Sequence, residues 1–381
     1  MITTRTVAIS GIGAVTGFGS GVSILWEALA AGRTCVGVKS AGDTEAAGGD
    51  RVAELSLSAA TEAVTSAGWS LPLCDVQLAF GTNVGRVARL SRLSRNDLGR
   101  ALSPGVLEEW ADHHVIARTL AASLGCEVDS AVTLTGACTS GALALGYAFD
   151  FVASGQCEMA LAGGADEETA FKASGHLALR TSSPSGRVRP FDAGRDGTAF
   201  REGAGFLFLE SLEHCLNRGG RPLALVRGYG VGTDTGSLTA PDPEGRGAVI
   251  AMRAALADAG LAPEQIDHVQ GHATGTRLND AIEARSIRQV IGPHTDGITV
   301  SADKGAIGHT FGASGPLSAI LVVLAIQKGQ APPAVGCEKP DPACSLPLVL
   351  KCPLERRIMA ALCNNFGFGG GNVSLVVERY E

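Results

Sequence analysis

The sequence predicts an α/β protein whose parallel sheets are covered by helices on both faces. Ten short runs are rich in β-forming residues; most of them end in small residues, and Ala- and Leu-rich helical segments separate several of them. Most of the runs are apolar instead of alternating with polar residues, which indicates strands buried on both sides. They cover residues 6–11, 76–81, 131–135, 159–163, 205–210, 223–228, 266–271, 298–301, 358–363 and 373–378.

The order of strands and helices in the first part of the chain is repeated in the second part. A turn-rich break, NRGGRP, lies at residues 217–222 between the two parts. We therefore predict two similar halves, residues 1–219 and 220–381. The 51 glycines suit such a fold, because strand ends close to a site need tight turns and close backbone approach.

Composition excludes several classes of protein. The longest unbroken apolar stretch, residues 319–326, falls well short of the roughly 20 residues that cross a bilayer, so we expect no membrane span. No export signal is visible at the N-terminus, and ten cysteines without a Cys-x-x-Cys motif suggest free thiols in the cytoplasm. A net charge of −7 provides no general field for binding nucleic acid.

The segment AVTLTGACTSGALALG, residues 131–146, contains the strongest candidate nucleophile, Cys138. A β-run precedes the cysteine and a helix-forming segment follows it, so Cys138 lies at a predicted helix start. Free backbone N–H groups and the helix dipole favour a thiolate there. The small residues Ser140, Gly141 and Ala142 allow close helix packing and leave room for a bulky acyl group.

Two histidines follow β-runs in the second half: His272 in QGHATGT and His309 in SADKGAIGH. We expect both to project into one cleft with Cys138. Neutral imidazole N–H groups can stabilise a developing enolate oxygen, so this trio suits acyl transfer followed by carbanion formation. A zinc site is the rival use of these residue types, but no short-spaced ligand pair supports it, and we predict no metal.

With these residues the chain resembles the β-ketoacyl synthases, because Cys138, His272, Lys304 and His309 occur in that order before a glycine-rich C-terminal motif. The resemblance implies a thiolase-like fold, in which two βαβαβαββ halves form five layers, α-β-α-β-α, and which usually pairs as a dimer. The other matching motifs are VAISGIGAVT at 7–16, LWEAL at 25–29, RPFDAGRDG at 189–197, EGAG at 202–205 and NNFGFGG at 364–370.

The resemblance also implies a mechanism and a role for each site residue. Cys138 takes an acyl chain from the phosphopantetheine of an acyl carrier protein, and a decarboxylated malonyl unit attacks it; no bound cofactor is implied. His272 and His309 bind the malonyl thioester oxygen, and Lys304 orders the site. The remaining implied roles are the oxyanion hole from the backbone N–H groups of Cys138 and Phe368, the gate Phe368, the pantetheine neighbours Thr274 and Thr276, and the structural acids Asp280 and Glu283.

Three departures from the family pattern affect the finer assignment. The stretch after Arg33 is short, which leaves surface for another subunit to cover. Ala273 replaces a common glycine, and we expect its methyl group to narrow the site slightly. Ser318 stands where many fatty-acid synthases of the family carry a glutamate that interacts with the lysine. These departures favour a specialised polyketide or polyene pathway over housekeeping fatty-acid elongation.

Other functions explain the sequence less well. Chain-length-factor subunits of ketosynthase heterodimers share the fold but generally lack the reactive cysteine, so Cys138 disfavours that role. Thiolases use a second cysteine near the C-terminus, and initiating synthases carry asparagine in place of His309. A dinucleotide-binding loop at Gly11 and Gly13 lacks the third glycine at its usual position.

Four arginines spaced by three, Arg86, Arg89, Arg92 and Arg95, predict a basic stripe on one side of a helix. A solvated helix face explains the stripe without any partner. An acidic carrier protein is the other interpretation, because guanidinium groups suit phosphate and carboxylate. The family resemblance implies an acyl carrier protein as partner, and a second subunit that is either identical or a chain-length factor.

Overall fold

The computed structural model describes residues 4–37, 50–86 and 112–381. All ten predicted β-runs overlap strands of one large sheet, so this part of the prediction is confirmed. The strands are β1 Val7–Thr16, β2 Gly19–Ser20, β3 Val76–Gly81, β4 Ala131–Leu134, β5 Met159–Asp166, β6 Gly203–Ser211, β7 Ala224–Thr233, β8 His268–Gln270, β9 Thr299–Ser301, β10 Gln330–Ala331, β11 Leu354–Glu355, β12 Ala360–Phe366 and β13 Gly371–Glu378.

The strand order repeats between the two halves. The first half has the order β4-β3-β5-β6-β1 and the second half β9-β8-β12-β13-β7, and β1 pairs with β7 to join them. This duplication agrees with the predicted repeat, while the exact division into residues 1–219 and 220–381 stays a prediction.

The sheet is mixed, so the expectation of purely parallel sheets is wrong. Only β3 with β4 and β5, and β8 with β9 and β12, are parallel. The other strands pair in antiparallel fashion. Part of the reason is connection length: four residues join β12 to β13, whereas a parallel crossover needs about a dozen or more.

Helices fill the space between the two halves and cover both outer faces, which gives five layers. The central layer is formed by α4 and α10, whose apolar residues pack against both halves of the sheet. Helices α2 and α3 cover the first half, and α7 and α8 cover the second. The helices are α1 Val22–Ala30, α2 Arg51–Ser66, α3 His114–Leu124, α4 Ser140–Ala153, α5 Ala170–Ala178, α6 Leu212–Asn217, α7 Arg246–Ala259, α8 Arg277–Ile291, α9 Lys304–Ile307 and α10 Ser314–Lys328.

One helical segment in the described residues, Phe311–Lys328, is long and apolar enough to cross a membrane. The interior of the protein buries 83% of it. An apolar helix enclosed in this way is typical of the core of a large domain. The segment contains α10, which packs beside α4 at the centre of the molecule.

Close packing at the centre depends on glycine. A Cβ atom added to Gly141, in the first turn of α4, would lie 2.2 Å from the carbonyl oxygen of Gly312. This distance is far below van der Waals contact. The first turn of α4 can therefore lie against the backbone at Gly312 only because residue 141 has no side chain. The small residues predicted to allow close packing here do so.

We expect Gly141→Ala to lower the free energy of unfolding by about 1–3 kcal/mol, because the added methyl group overpacks the centre. Gly175→Ala in α5 is the matched control, since nothing lies within 4 Å of its added Cβ. That control should gain about 0.5–1 kcal/mol from helix propensity. Urea denaturation of both variants measures the difference; equal stabilities would show that the approach of Gly141 to Gly312 is not tight.

Candidate active site

The two halves bring most of the predicted site residues together around one cavity of about 420 Å³, while Lys304 and Asp280 are buried outside its lining. Cys138 enters from the first half, while His272, His309 and Phe368 come from loops of the second half. Lys304 is 1% exposed, and its charge acts on the thiol and on both imidazoles. The structure thus brings Cys138, His272, His309 and Phe368 together, although they are up to 230 positions apart in the sequence.

The turn that carries Cys138 is held by hydrogen bonds of its own side chains. Ala137 has a φ of 51°, a left-handed conformation that costs a non-glycine residue about 1–2 kcal/mol. The Ser140 hydroxyl accepts from the Gly136 N–H at 2.8 Å and donates to the Ala137 carbonyl at 2.7 Å. The cysteine is thereby fixed between β4 and α4, as predicted from the sequence.

Burial controls the protonation of Cys138. It raises the pKa of the thiol to about 11, although Lys304, Lys172 and the backbone N–H of Phe368 pull in the opposite direction. The helix terminus does favour a thiolate, but burial outweighs it, so the resting group is a thiol. The nucleophile must therefore lose its proton during the reaction.

His272 is anchored through both its backbone and its ring. The backbone N–H of His272 donates to Glu283 Oε1 at 2.7 Å. The amide nitrogen Nδ2 of Asn365 lies 3.3 Å from the ring nitrogen Nδ1 of His272. With the amide nitrogen of Asn365 assigned to face the ring, Nδ1 accepts and the proton of the neutral ring is on Nε2. This assignment follows from the partner and leaves Nε2–H available to a ligand.

The ring of His309 has the same tautomer as that of His272, but different hydrogen-bond partners determine it. The backbone N–H of Phe311 donates to His309 Nδ1 at 3.1 Å, and the Ser314 hydroxyl lies 3.1 Å from the same atom. The neutral ring therefore also carries its proton on Nε2. The centroids of the His272 and His309 rings are 5.4 Å apart, and the rings meet edge to face.

Both imidazoles are neutral in this environment. Burial lowers the pKa of His272 well below its usual value, and the charge of Lys304 and the neighbouring His309 lower it further. Burial and Lys304 act in the same way on the pKa of His309. The site thus presents two neutral N–H donors, which is the arrangement that stabilises a developing oxyanion.

The loop after His272 is supported from below by two buried acids. Glu283 accepts from the Ala273 N–H at 2.7 Å, and Asp280 accepts from the N–H groups of Gly275 and Phe191. Burial raises the pKa of Glu283 to about 7 and that of Asp280 to about 6, against the opposing effect of these bonds. Their bonds hold the backbone of the His272 loop.

The two threonines of this loop face the cavity. Thr274 and Thr276 both line it, and their hydroxyl oxygens are 2.9 Å apart. Ala273, between them and His272, has a φ of 40°, and its methyl group packs in the core of the second half with residues such as Val300. The expectation that this methyl group narrows the site is therefore wrong, because it points into the core.

Phe368 separates the first cavity from a second one of about 740 Å³. Cys138 and Phe368 line both cavities. The lining of the second is otherwise largely apolar, with Ala137, Val84, Phe171 and Leu179 among its residues. Two glycines in left-handed conformation, Gly369 with φ 80° and Gly370 with φ 83°, follow Phe368 and give the loop its sharp turn.

Sequence reasoning missed His176, which lies on α5 and lines both cavities. Its ring stacks on Phe368 with centroids 5.5 Å apart and lies 3.9 Å from the ring centroid of Phe200. Burial lowers its pKa to about 4, so the ring is neutral. No motif surrounds His176, because its position depends on how α5 packs against the Phe368 loop.

A buried ion pair beside the nucleophile was also missed. Lys172 Nζ lies 2.6 Å from Asp166 Oδ1, and the same carboxylate accepts from the N–H groups of Asn83 and Gly312 at 2.8 Å each. Asp166 thus joins three loops around the site. A signal was present, since AGGADEE places acids at the end of an apolar strand, where parallel strands gather functional groups.

Several other sequence expectations have definite outcomes. Arg86 is buried and forms an ion pair with Asp50 at 2.5 Å, so it is no member of an exposed stripe. Arg89, Arg92 and Arg95 lie outside the described residues. Within the described ranges, no group of three or more metal-ligating side chains could hold a metal ion. Cys126 and Cys157 line neither cavity, and burial raises the pKa of each to about 11.

We expect alkylation of Cys138 by iodoacetamide to accelerate about tenfold per pH unit from pH 6.5 to 9, because only the thiolate reacts and the thiol pKa lies above this range. Lys304→Met should slow the reaction at every pH, since it removes the charge that favours the thiolate. Peptide mass spectrometry over time measures both rates. A plateau below pH 8 would contradict the assignment of a resting thiol.

Comparisons with known proteins agree with this geometry. Residues 37–215 match the model of the β-ketoacyl synthase N-terminal domain, and residues 223–338 match that of the C-terminal domain. A 3-oxoacyl-acyl-carrier-protein synthase 2 of Synechocystis is 32% identical, with 99% of each chain covered. Nodulation protein E of Rhizobium meliloti is also 32% identical and covers 98% of this chain and 99% of its own.

Solved structures agree as well. The ishigamide ketosynthase/chain length factor superposes with a TM-score of 0.89 at 32% identity and covers 99% of this chain and all of its own. A β-ketoacyl synthase from Burkholderia phymatum gives a TM-score of 0.86 at 27% identity, again over 99% of this chain. These matches confirm the thiolase-like α/β fold expected from the sequence. The chain belongs to the β-ketoacyl synthase family, whose members are acyltransferases that form carbon–carbon bonds.

Proposed function

We propose that this enzyme condenses an acyl chain with a malonyl unit by decarboxylative Claisen condensation, with both substrates carried on the phosphopantetheine of an acyl carrier protein. One observation carries the proposal: two neutral imidazoles, each with Nδ1 occupied by a donor, offer Nε2–H groups beside a buried cysteine. This arrangement is suited to an enolate, because two fixed donors stabilise its oxygen in a dry site.

The first step is acyl transfer to Cys138. The sulfur attacks the thioester carbon, the carbon–sulfur bond to pantetheine breaks, and the thiol proton leaves with the pantetheine sulfur. The oxyanion that forms transiently is proposed to accept from the backbone N–H groups of Cys138 and Phe368. In support of this role, the backbone N–H of Phe368 forms a hydrogen bond with the Cys138 sulfur, beside the atom where the oxyanion forms.

The second step forms the new bond. The malonyl thioester oxygen accepts from Nε2–H of His272 and of His309, and carbon dioxide leaves as its bonding electrons move into the enolate. The enolate carbon attacks the acyl carbon on Cys138, and the cysteine sulfur departs and regains a proton. Lys304 supplies positive charge beside both histidines, which keeps them neutral and attracts the malonyl carboxylate.

The two cavities divide the substrate between them. We assign the one lined by Thr274 and Thr276 to the pantetheine arm, and the apolar one behind Phe368 to the acyl chain. Phe368 then acts as the gate between the two, with glycines beside it that give the loop freedom to move. An apolar second cavity agrees with a saturated or polyene chain.

The partner assignments rest on relatives and on one exposed edge. The Synechocystis relative is named for an acyl carrier protein, and the ishigamide assembly pairs a ketosynthase with a chain length factor. In this chain β4 ends the sheet, with three of its four residues only half-buried. Among the described strands β4 pairs on one side only, and such a sheet edge readily pairs with another chain, so we propose a dimer with an identical or a cysteine-free subunit.

The cellular setting follows from the same comparisons. The departure at Ser318 and the match to the ishigamide ketosynthase favour a specialised polyketide or polyene pathway over primary fatty-acid synthesis. Ten cysteines, all without a disulfide partner, suit the reducing cytoplasm. A chain-length-factor role, without catalysis, is the alternative, and Cys138 with its two histidines disfavours it.

We expect Cys138→Ala to abolish acyl loading while the protein still decarboxylates malonyl-carrier thioester, because the histidines remain. His272→Ala or His309→Ala should lose about a hundred- to a thousandfold in kcat for decarboxylation yet still load an acyl chain. Intact-protein mass spectrometry reports loading, and carbon dioxide release reports decarboxylation. Acyl chains on Cys126 or Cys157 of the native enzyme, or full activity of either histidine variant, would contradict the roles.

We expect the active enzyme to be a dimer, because the edge of β4 needs a partner strand. Light scattering with activity measured on the same fractions tests this, once on the protein alone and once after mixing with a ketosynthase-like subunit lacking the cysteine. A dimer formed by the protein alone indicates a homodimer. A dimer that forms only after mixing with the second subunit indicates a heterodimer. A stable, fully active species of 38.8 kDa would contradict both.

A further inference from the structure

The surroundings of Lys304 contain a carboxylate to which no role has yet been assigned. Asp303, the residue before it, is 1% exposed, and its Oδ1 lies 3.6 Å from Lys304 Nζ. Among the described residues, Asp303 is the one acid within ion-pair distance of this ammonium group. A buried ammonium without a nearby negative charge is strongly unfavourable, so Lys304 depends on Asp303 to remain charged in this position.

Ser318 completes the arrangement from α10. Its hydroxyl donates to Asp303 Oδ2 at 2.6 Å, which leaves Oδ1 facing the lysine. In the described part of the chain, neither Oδ1 nor Lys304 Nζ has a hydrogen-bond partner. The serine therefore orients a carboxylate, in the position where the family resemblance implies a glutamate that interacts with the lysine itself.

The carboxylate of Asp303 is not used to build the fold. Asp303 precedes α9, and its backbone carbonyl accepts from the N–H groups of Ala306 and Ile307, but its side chain does not cap the helix. The one described hydrogen bond to this carboxylate comes from Ser318. A structural aspartate at a helix start would instead bond to the free N–H groups of the first turn.

We propose that Asp303, oriented by Ser318, is the positioning residue that fixes the Lys304 ammonium where its charge acts on the nucleophile and the two histidines. The acid that the family supplies from the central helix is thus supplied here from the residue beside the lysine. Lys304 acts electrostatically on the thiols of Cys138 and Cys363, the imidazoles of His272 and His309 and the carboxyl of Glu283, and Asp303 is the acid within ion-pair distance of it among the described residues.

This inference rests on the proposed function for its activity readout and has a second readout that does not. Decarboxylation of malonyl-carrier thioester measures the effect of Lys304 on catalysis. Iodoacetamide alkylation of Cys138 measures the effect of its charge on the thiol, whether or not the protein is a ketosynthase. If the wild-type protein fails to decarboxylate the substrate, the proposed function is contradicted. The rate of Cys138 alkylation then decides the proposal on Asp303 alone.

The test compares Asp303→Asn, Lys304→Met and the double variant. We expect Asp303→Asn to slow Cys138 alkylation, because a buried ammonium that loses its carboxylate also loses its position or its proton. The same loss should lower kcat for decarboxylation about 10–100-fold, a size typical of residues that support a site. In the Lys304→Met background the same substitution should change neither rate further, because residues acting as one unit are non-additive. An equal loss in both backgrounds, or wild-type rates for Asp303→Asn, would overturn the proposal.

Relocating the charge separates positioning from simple loss of structure. Asp303→Ser combined with Ser318→Glu restores an acid to the same pocket from α10, and we expect it to recover most of the rate that Asp303→Ser loses. Asp267→Asn is the control for stability alone. It removes an acid that directly precedes β8 and accepts a hydrogen bond from the backbone N–H of Met359. If the double variant Asp303→Ser/Ser318→Glu has the free energy of unfolding of the wild type but a rate as low as that of Asp303→Ser, the proposal would also be overturned.

Discussion

Burial of the reacting groups is the physical constraint on which the rest of the site depends. Cys138, His272, Lys304 and His309 are each no more than 6% exposed. Removed from water, the thiol keeps its proton and the imidazoles lose theirs. A nucleophile that is protonated at rest and two neutral donors follow directly, and they are the protonation states that a condensation through an enolate requires.

The surrounding protein supplies hydrogen bonds that replace those which the buried groups would make with water. Groups removed from water need fixed partners, and each histidine has one on Nδ1: the Asn365 amide for His272 and the Phe311 N–H for His309. Glu283 accepts from the consecutive backbone N–H groups of His272 and Ala273 and so holds the start of the loop that carries the histidine. Asp166 does the same for the loops around the nucleophile, through Asn83, Gly312 and Lys172. The site is therefore rigid before any substrate binds, which lowers the cost of reorganisation during the reaction.

The sequence was informative wherever function depends on local order. Strand positions were predictable because the runs are apolar and end in small residues, and Cys138 was predictable because a helix begins directly after its strand. Strand direction was not, since the antiparallel pairing of β5 with β6 depends on the path of a long connection. His176 and Asp303 were missed for a related reason. Their importance comes from neighbours distant in sequence, Phe368 and Ser318, and only packing brings these together.

The state of the two active-site histidines tests the account most directly. Nitrogen NMR of protein labelled with ¹⁵N-histidine reports both charge and tautomer, and His272→Ala and His309→Ala identify the two signals by their loss. The account predicts that both rings stay neutral from pH 8 to pH 6, with the proton on Nε2. A ring that becomes charged within this range, or that carries its proton on Nδ1, would contradict it.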